Sequence, residues 1–420
     1  MADLDKITKR IDAAIRFLLY VVLFWAPYSP AVIESSIPAA FLLLLIKRVL
    51  IHRGRIKDIF KPPPSDLNHP IAFFIVVCLI SSAGGVFWGQ SLQSFFVKTF
   101  EWFVIYFLVI EVFTEKKHVK IALVVLTVTA LSTVIDSILQ FYVLHRDIFH
   151  NRVVKSGDRA TAAFKTPNDL GGYLSFWVSY AFVMLFQKTK SRWVKIFFFV
   201  SFLFSFWALA TTFSRGSWMA VVFSGVFFIL IYYRKHLPKV LIGGVLVVAC
   251  AYFIFARFSQ EESNFFIKSR GHTVDWRWGI WKDSLPMIKD RILLGHGINT
   301  YMQVFQEYRS NQISQSPPTY AHNCYIQMAA EIGLVGLAAF FWIIFGIFFY
   351  SLKTIWTAST EGAVFMLGLL GGLLAFLINS FTDTHFYSLQ LSSFFWFMVG
   401  LQMALVKIER ESLWQEKRRP

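Results

Sequence analysis

The sequence predicts an all-α polytopic membrane protein with about twelve transmembrane helices and a large helical loop between the ninth and tenth spans. Hydrophobic residues make up 56% of the 420 residues, and the mean hydropathy of +0.55 is far above the range of soluble globular proteins. The apolar residues come in runs long enough to cross a hydrocarbon core of roughly 30 Å as helix. A β-barrel would instead show short segments of alternating polarity.

Apolar runs separated by polar turns define the predicted spans in order. The first run follows a basic stretch, lacks a small-residue cleavage site and leads directly into the second, so we interpret it as an uncleaved span. The predicted spans are residues 12–28, 32–50, 70–88, 95–113, 120–144, 170–187, 193–210, 217–233, 240–257, 323–350, 362–379 and 386–406.

Charge predicts the orientation of these spans. The connections after the second, fourth, sixth and eighth spans are short and rich in Lys and Arg, as cytoplasmic segments are. Both termini are therefore predicted to be cytoplasmic, and the long loops 145–169 and 258–321 to be external. The formal charge of +16 is explained by the same rule, because the cations do not line one helix face with interleaved aromatic residues. Nucleic acid is not an expected partner.

This topology divides the chain into four regions. Residues 1–257 hold spans one to nine with loop 145–169, and residues 258–321 form the long external loop. Residues 322–406 hold the last three spans, and residues 407–420 form a basic cytoplasmic tail.

Helical spacing of apolar residues predicts two amphipathic helices within the long external loop. The first has an apolar face made of Trp278, Trp281, Leu285 and Ile288. The second follows the breaker LLGHG, with Asn299 as the predicted cap and an apolar face made of Tyr301, Val304, Phe305 and Tyr308. A loop of this length with its own helices is usually functional.

Positive charge is disfavoured in external loops, so the cations retained there need an explanation. The candidates are Arg159, Lys165 and the neighbouring Asn168 in DRATAAFKTPNDLGGYL, Arg215 in ATTFSRGSW, and Arg277 in DWRWGIW, with Arg270 as a supporting residue. Each could be an interfacial anchor or a charge on a solvated helix face. Together, cations from separate external segments suit a diphosphate at the membrane surface, because a guanidinium binds phosphate oxygens through two parallel hydrogen bonds.

A histidine stands immediately before the tenth span. His322 lies in YAHNCYIQ, at the boundary between the external loop and the apolar run. An isolated histidine in a polar loop is more often structural than catalytic. Its ordinary pKa nevertheless makes an imidazole the usual side chain for removing a proton from a hydroxyl near neutral pH. Both interpretations remain open on the spacing alone.

The last external turn, NSFTDTHFYS, carries two further titratable residues. Asp383 could orient a histidine or hold an arginine, and it could equally be a solvated turn residue. His385 is either a supporting residue or an interfacial one. The external segments contain no DxD or ExD motif, so no metal site is predicted and arginines would have to stabilise a diphosphate leaving group.

Three blocks of this sequence resemble the O-antigen ligase and polymerase superfamily. They are RATAAFKTPNDLGGYLS, TTFSRGSWMAVV, and RWGIWKDSLPMIKDRILLGHGINTY followed by YAHNCYIQMAAEIGLVGL. The resemblance extends over about residues 70 to 400, and the final block is the most specific.

The resemblance implies transfer of a glycan from undecaprenyl diphosphate to an acceptor hydroxyl at the periplasmic face of a bacterial inner membrane. In the ligases of the family the acceptor is the lipid A core oligosaccharide, and the reaction is metal-independent, inverting and needs no cofactor. The family's essential arginines correspond to Arg215 and Arg277, its histidine to His322, and its acidic residue to Asp383. Lys165 stands where relatives often carry a glycine or another small residue.

Three other functions remain open from the sequence. A polymerase that joins repeat units and a protein O-oligosaccharyltransferase would share the donor and the same motifs. A twelve-span transporter is the alternative from another class. Transporters usually carry repeated halves and polar groups near the bilayer midplane, whereas the candidates here lie at the external ends of spans.

Overall fold

The structure is a computed structural model that describes residues 2–52, 55–154, 159–187, 191–233, 263–310 and 319–417. Over these ranges the protein is helical, and extended pairing is confined to an isolated bridge between Arg146 and Val153. The helices are α1 (Ala2–Trp25), α2 (Pro30–His52), α3 (Ile56–Ile59), α4 (Asn68–Gly84), α5 (Trp88–Ser94), α6 (Phe100–Val112), α7 (Lys116–Leu139), α8 (Pro167–Met184), α9 (Arg192–Thr211), α10 (Arg215–Tyr232), α11 (Ser263–Asp290), α12 (Tyr301–Val304), α13 (Cys324–Ile355), α14 (Thr360–Asn379) and α15 (Leu389–Lys417).

The chain is a multi-pass membrane protein by the length and composition of these helices. Among the described residues, seven are long and apolar enough to span a membrane, namely α2, α7 with its π-helical extension to Leu144, α9, α10, α13, α14 and α15. Every predicted span except the ninth coincides with a helix, and the ninth, residues 240–257, lies outside the described residues. The count of about twelve spans is not confirmed, because α1, α4, α6 and α8 are shorter or more polar than the seven.

The two predicted loop helices differ in outcome. The first is present as α11, but Trp278 and Leu285 of its predicted apolar face are exposed, and Ile280, Ser284 and Met287 are buried instead. The second is only the single turn α12, followed by a 3-10 turn at Phe305–Glu307. Asn299 is not its cap, because Thr300 occupies that position and Asn299 has a left-handed φ of 59°. The backbone N–H of Asn299 instead donates to the carboxylate of Glu331 in α13, so a contact with a distant helix replaces the local cap.

The most buried helices lie at the centre of the bundle. Helix α15 is almost completely enclosed, and α14 is largely so, whereas α9 and α10 expose most of their apolar surface. Helix α8 packs along α14, and α6 packs along α15. The predicted tail is partly helical, because α15 continues beyond its predicted end to Lys417.

Helix α13 is broken at Gly333, whose φ of 70° and ψ of 178° are not helical. A side chain here is excluded twice, by the left-handed φ and because a Cβ would lie 2.1 Å from the carbonyl oxygen of Leu293. The preceding loop satisfies the backbone groups that the break leaves free. Its N–H groups at His296 and Gly297 donate to the carbonyls of residues 330 and 331 at 3.0 and 2.8 Å. A helix that is interrupted within a membrane needs other hydrogen-bond partners of this kind for its free backbone groups.

Candidate active site

The turn between α14 and α15 presents Asp383, around which the candidate residues gather. Its Oδ1 accepts from Nδ1 of His322 at 3.1 Å and from the backbone N–H of Thr384 at 2.8 Å. Its Oδ2 accepts a short hydrogen bond from Nδ2 of Asn168 and lies 3.7 Å from Nη2 of Arg277. Four separate segments of the chain therefore meet at one carboxylate.

The surroundings of Asp383 favour its ionised form. Burial raises the pKa of this carboxyl group, since its side chain is only 14% exposed. The hydrogen bond from His322 and the electrostatic effects of His385, His322 and Arg277 outweigh that effect and hold the pKa well below its usual range. An ionised carboxylate only accepts, so Nδ1 of His322 carries the proton and Nε2 is left as an acceptor.

The backbone before α13 positions His322. The helix is capped by Asn323, whose side chain accepts the N–H groups of Tyr325 and Ile326 at 2.9 and 3.1 Å. His322 lies one residue before this cap with a left-handed φ of 48°. The cap therefore fixes the point at which the chain turns, and with it the direction of the imidazole.

Two residues that the sequence patterns did not single out lie beside this imidazole. Oγ1 of Thr319 is 3.3 Å from Nε2 of His322, on the side opposite Asp383. The ring of Trp276 is 5.3 Å from the imidazole, centre to centre. Nε2 therefore faces the hydroxyl of Thr319, next to an aromatic surface.

Helix α11 brings Arg277 to the site by packing Ile280 and Met287 into a small core with Tyr301 and Phe305. Nε1 of Trp281 donates to the carbonyl of Ala321 at 2.8 Å, one residue from His322. Oγ of Ser284 and the hydroxyl of Tyr301 are 2.6 Å apart in the interior. Arg277 keeps 28% of its side chain exposed while facing Asp383. The side chain of Arg270, on the same helix, lies outside the described residues.

Arg159 and Asn168 form a linked pair behind Asp383. Nε of Arg159 donates to the carbonyl of Thr212 at 2.6 Å, and its Nη2 donates to Oδ1 of Asn168 at 2.6 Å. Since Oδ1 of Asn168 accepts from arginine, its amide nitrogen is directed at the carboxylate. Asn168 lies inside the first turn of α8 rather than before it, because the helix begins at Pro167 with Thr166 as the cap.

Arg215 is the first residue of α10, and its side chain is exposed. Gly216 next to it packs against the turn that carries Asp383, since a Cβ at Gly216 would lie 2.0 Å from Oγ1 of Thr382. The preceding Ser214 makes no side-chain capping bond to the helix. Within the described parts of the chain, the guanidinium of Arg215 has no hydrogen-bond or acidic partner. A cation and a helix N-terminus with its positive dipole end are therefore presented together beside the site.

The remaining predicted residues lie farther from this meeting point. Lys165 is exposed on the loop before α8. His385 is fully buried, with its Nδ1 3.9 Å from Oδ1 of Asp169 and its ring against Phe376. No group of three His, Cys, Asp or Glu side chains in the described ranges could hold a metal ion.

Comparison with known proteins agrees with the motifs. Residues 200–341, which include Arg215, Arg277 and His322, match the family described as O-antigen ligase. An uncharacterized protein of Haemophilus influenzae is 25% identical over 184 residues, covering 40% of this chain and 46% of that protein. The chain thus spans less than half the length of that relative. The match over residues 200–341 confirms the resemblance to the O-antigen ligase superfamily, whose members are membrane glycosyltransferase-like ligases and polymerases.

Proposed function

We propose that this protein is an O-antigen ligase that transfers a glycan from undecaprenyl diphosphate to a sugar hydroxyl of the lipid A core oligosaccharide. The observation that carries the proposal is the meeting of His322, Arg277 and Asn168 at Asp383, with Arg215 on the neighbouring helix end. In this proposal the site faces the periplasm from the bacterial inner membrane, and both termini are cytoplasmic.

His322 acts as the general base in the proposed reaction. Asp383 holds the proton on Nδ1, so Nε2 is free to accept a proton from the acceptor hydroxyl. The hydroxyl oxygen attacks the anomeric carbon of the donor sugar, and the bond from that carbon to the diphosphate oxygen breaks. The proton moves to Nε2, and the electron pair of the broken bond leaves with the diphosphate. A single displacement of this kind inverts the anomeric configuration.

The arginines stabilise the leaving group. Arg277 faces Asp383 at 3.7 Å, and Arg215 is exposed at the positive end of α10. Each guanidinium can bind phosphate oxygens through two hydrogen bonds. These hydrogen bonds strengthen as negative charge grows on the leaving diphosphate. We assign Arg159 and Asn168 to holding Asp383 in place behind the site, because both are already joined in a chain of hydrogen bonds that ends at its carboxylate.

The experiment that tests this function offers one donor to several acceptors. Purified protein receives undecaprenyl diphosphate-linked glycan together with lipid A core, a second lipid-linked unit or a serine-containing protein acceptor. Covalent transfer to lipid A core is the expected result. Transfer to the second unit or to protein alone would identify a polymerase or an oligosaccharyltransferase instead, and flux across proteoliposomes without a covalent product would identify a transporter.

A further inference from the structure

A buried carboxylate in α13, that of Glu331, is connected to His322, Arg277 and Asp383 through three separate chains of contacts. We call each of these chains an arm. Glu331 is only 2% exposed, and it stands two residues before the break at Gly333. Its Oε2 accepts from the backbone N–H of Asn299 and from the hydroxyl of Tyr387, both at 2.9 Å. Its Oε1 accepts from the backbone N–H of Tyr301 at 3.2 Å. A carboxylate in a membrane-spanning helix is costly unless such partners surround it.

The first arm leads from Glu331 to His322. Nε2 of Gln327 donates to Oε1 of Glu331 at 3.2 Å, one helical turn away. This bond directs the other amide atom, Oε1 of Gln327, toward the backbone N–H of Ala321, which donates to it at 3.3 Å. Ala321 is bonded to His322, so the carboxylate influences the left-handed backbone that directs the imidazole.

The second arm leads to Arg277. Tyr301, whose backbone N–H is held by Glu331, has its hydroxyl 2.6 Å from Oγ of Ser284 on α11. Ser284 and Arg277 are seven residues apart, which is two turns of the same helix. The carboxylate therefore fixes the position of α11 relative to α13.

The third arm leads to Asp383. Tyr387 lies in the 3-10 turn His385–Tyr387, directly after the turn that presents Asp383. The ring centres of Tyr387 and Tyr320 are 6.0 Å apart, and Tyr320 lies two residues before His322. The hydroxyl of Tyr387 thus ties the Asp383 turn to the same carboxylate.

We infer that Glu331 is a positioning residue whose carboxylate sets the relative placement of His322, Arg277 and Asp383 for the transfer proposed above, on which this inference rests. Two of its four donors are backbone N–H groups and a third is an amide NH₂, and none of these can accept. A glutamine at this position has one carbonyl oxygen and one NH₂, so at least one of the two backbone N–H groups, of Asn299 or of Tyr301, would lose its acceptor. Displacement of the base by about 1 Å costs on the order of 10²-fold in rate.

The matched pair of variants is Glu331→Gln and Ser81→Ala. Oγ of Ser81 donates to the backbone carbonyl of Glu331 at 2.9 Å, so Ser81→Ala removes a buried hydrogen bond to the same residue without touching the carboxylate. In Glu331→Gln we expect kcat per folded molecule to fall about 10²-fold, because His322 and Arg277 are both displaced relative to Asp383. Ser81→Ala should keep kcat. If Glu331→Gln does not fold, Tyr387→Phe removes a single arm and should lower kcat about tenfold.

Hydrogen exchange provides a readout that needs no activity. The amide of Asn299 or that of Tyr301 should exchange faster in Glu331→Gln than in the wild type, and neither should do so in Ser81→Ala. Unchanged kcat per folded molecule in Glu331→Gln, or equal losses in both variants, would overturn the inference. Absence of transfer by the wild type would instead contradict the proposed function, and unchanged exchange in Glu331→Gln would then still overturn the positioning role.

Discussion

The two ends of the helix bundle use their cations differently. At the end formed by the C-termini of α2, α6 and α15, several cations pair with acids in the described residues. The pairs are Lys47 with Asp12 and Glu111, Arg48 with Glu111, Lys116 with Glu409, Lys120 with Glu361, and Arg410 with Asp66. At the opposite end, Arg277 shares the single carboxylate of Asp383 with His322, and Arg215 has no acidic partner in the described part of the chain.

This difference separates structural cations from available ones. Each cation named at the first end has a carboxylate partner, whereas Arg277 shares Asp383 with His322 and Arg215 has no acidic partner in the described residues. Arg215 and Arg277 lie where positive charge exceeds negative charge, so an anionic ligand would complete the arrangement. The comparison therefore predicts that substitutions near Asp383 lower transfer more than stability. Substitutions of the paired charges at the other end should lower stability more than transfer.

The largest effect is expected from His322→Ala. Transfer should fall by about 10² to 10⁴-fold, the usual contribution of a general base, while the unfolding temperature changes little because the side chain is partly exposed. The matched control is His150→Ala, which removes another histidine beside an aspartate, with Nδ1 3.5 Å from Oδ1 of Asp147. Equal losses of transfer in the two variants would remove the special role of His322.

Asp383→Asn should have the next largest effect, a loss of about 10²-fold in transfer. An amide does not fix the proton on Nδ1 of His322 and does not stabilise the imidazolium. Measuring kcat for both proteins at neutral pH tests this expectation. Full activity in Asp383→Asn would show that His322 works without the carboxylate.

The same variant gives a pH dependence of stability. Because the folded pKa of Asp383 is held below its usual range, its ionised form stabilises the fold above the unfolded value of about 3.9. That contribution is lost as pH falls through the folded pKa. The difference in unfolding temperature between the wild type and Asp383→Asn should therefore be present at neutral pH and shrink below about pH 4. A difference that grows on acidification would contradict the assignment.

Arg215→Lys tests the cation that has no acidic partner. We expect the donor to bind about tenfold more weakly, because an ammonium cannot form the two parallel hydrogen bonds of a guanidinium. The control is Arg410→Lys at the opposite end, where the cation already faces Asp66 at 2.6 Å. Comparable weakening of donor binding in both variants would mean that the position of Arg215 beside the site has no special role in binding the donor.

Glu111→Gln should have the smallest effect on transfer and a clear effect on stability. It leaves Lys47 and Arg48 without the acid they share, at distances of 3.0 Å each. The free energy of unfolding should fall by about 1–3 kcal/mol, while transfer per folded molecule is unchanged. A specific loss of transfer would show that this end of the bundle also takes part in the reaction.

The helical spans could be predicted from the sequence because length and apolarity alone select them. The second loop helix could not, because the spacing of Tyr301, Val304 and Phe305 fits a helix while the chain ends it after one turn. Contacts made by the backbone of Asn299 and Tyr301 with Glu331 decide this local structure, and they come from a distant part of the sequence.

The candidate site was predictable as a set of residues but not as a geometry. The resemblance to the O-antigen ligase superfamily singled out His322, Arg215 and Arg277, yet their relation to Asp383 depends on how α11 and the last turn pack. Glu331 carried a signal that could have found it, an acid inside an apolar run just before Gly333. The break in α13 was not predicted, because glycine is frequent in membrane-spanning helices and does not by itself indicate a break.

The most direct test of the central proposal is the binding of undecaprenyl diphosphate, without glycan, to the purified protein in lipid nanodiscs. The wild type and His322→Ala should bind it equally, since the histidine acts on the acceptor. Arg215→Ala should bind it at least about tenfold more weakly, and Arg410→Ala should match the wild type. Equal binding by Arg215→Ala and Arg410→Ala would contradict the proposal that Arg215 contributes to a diphosphate site beside Asp383.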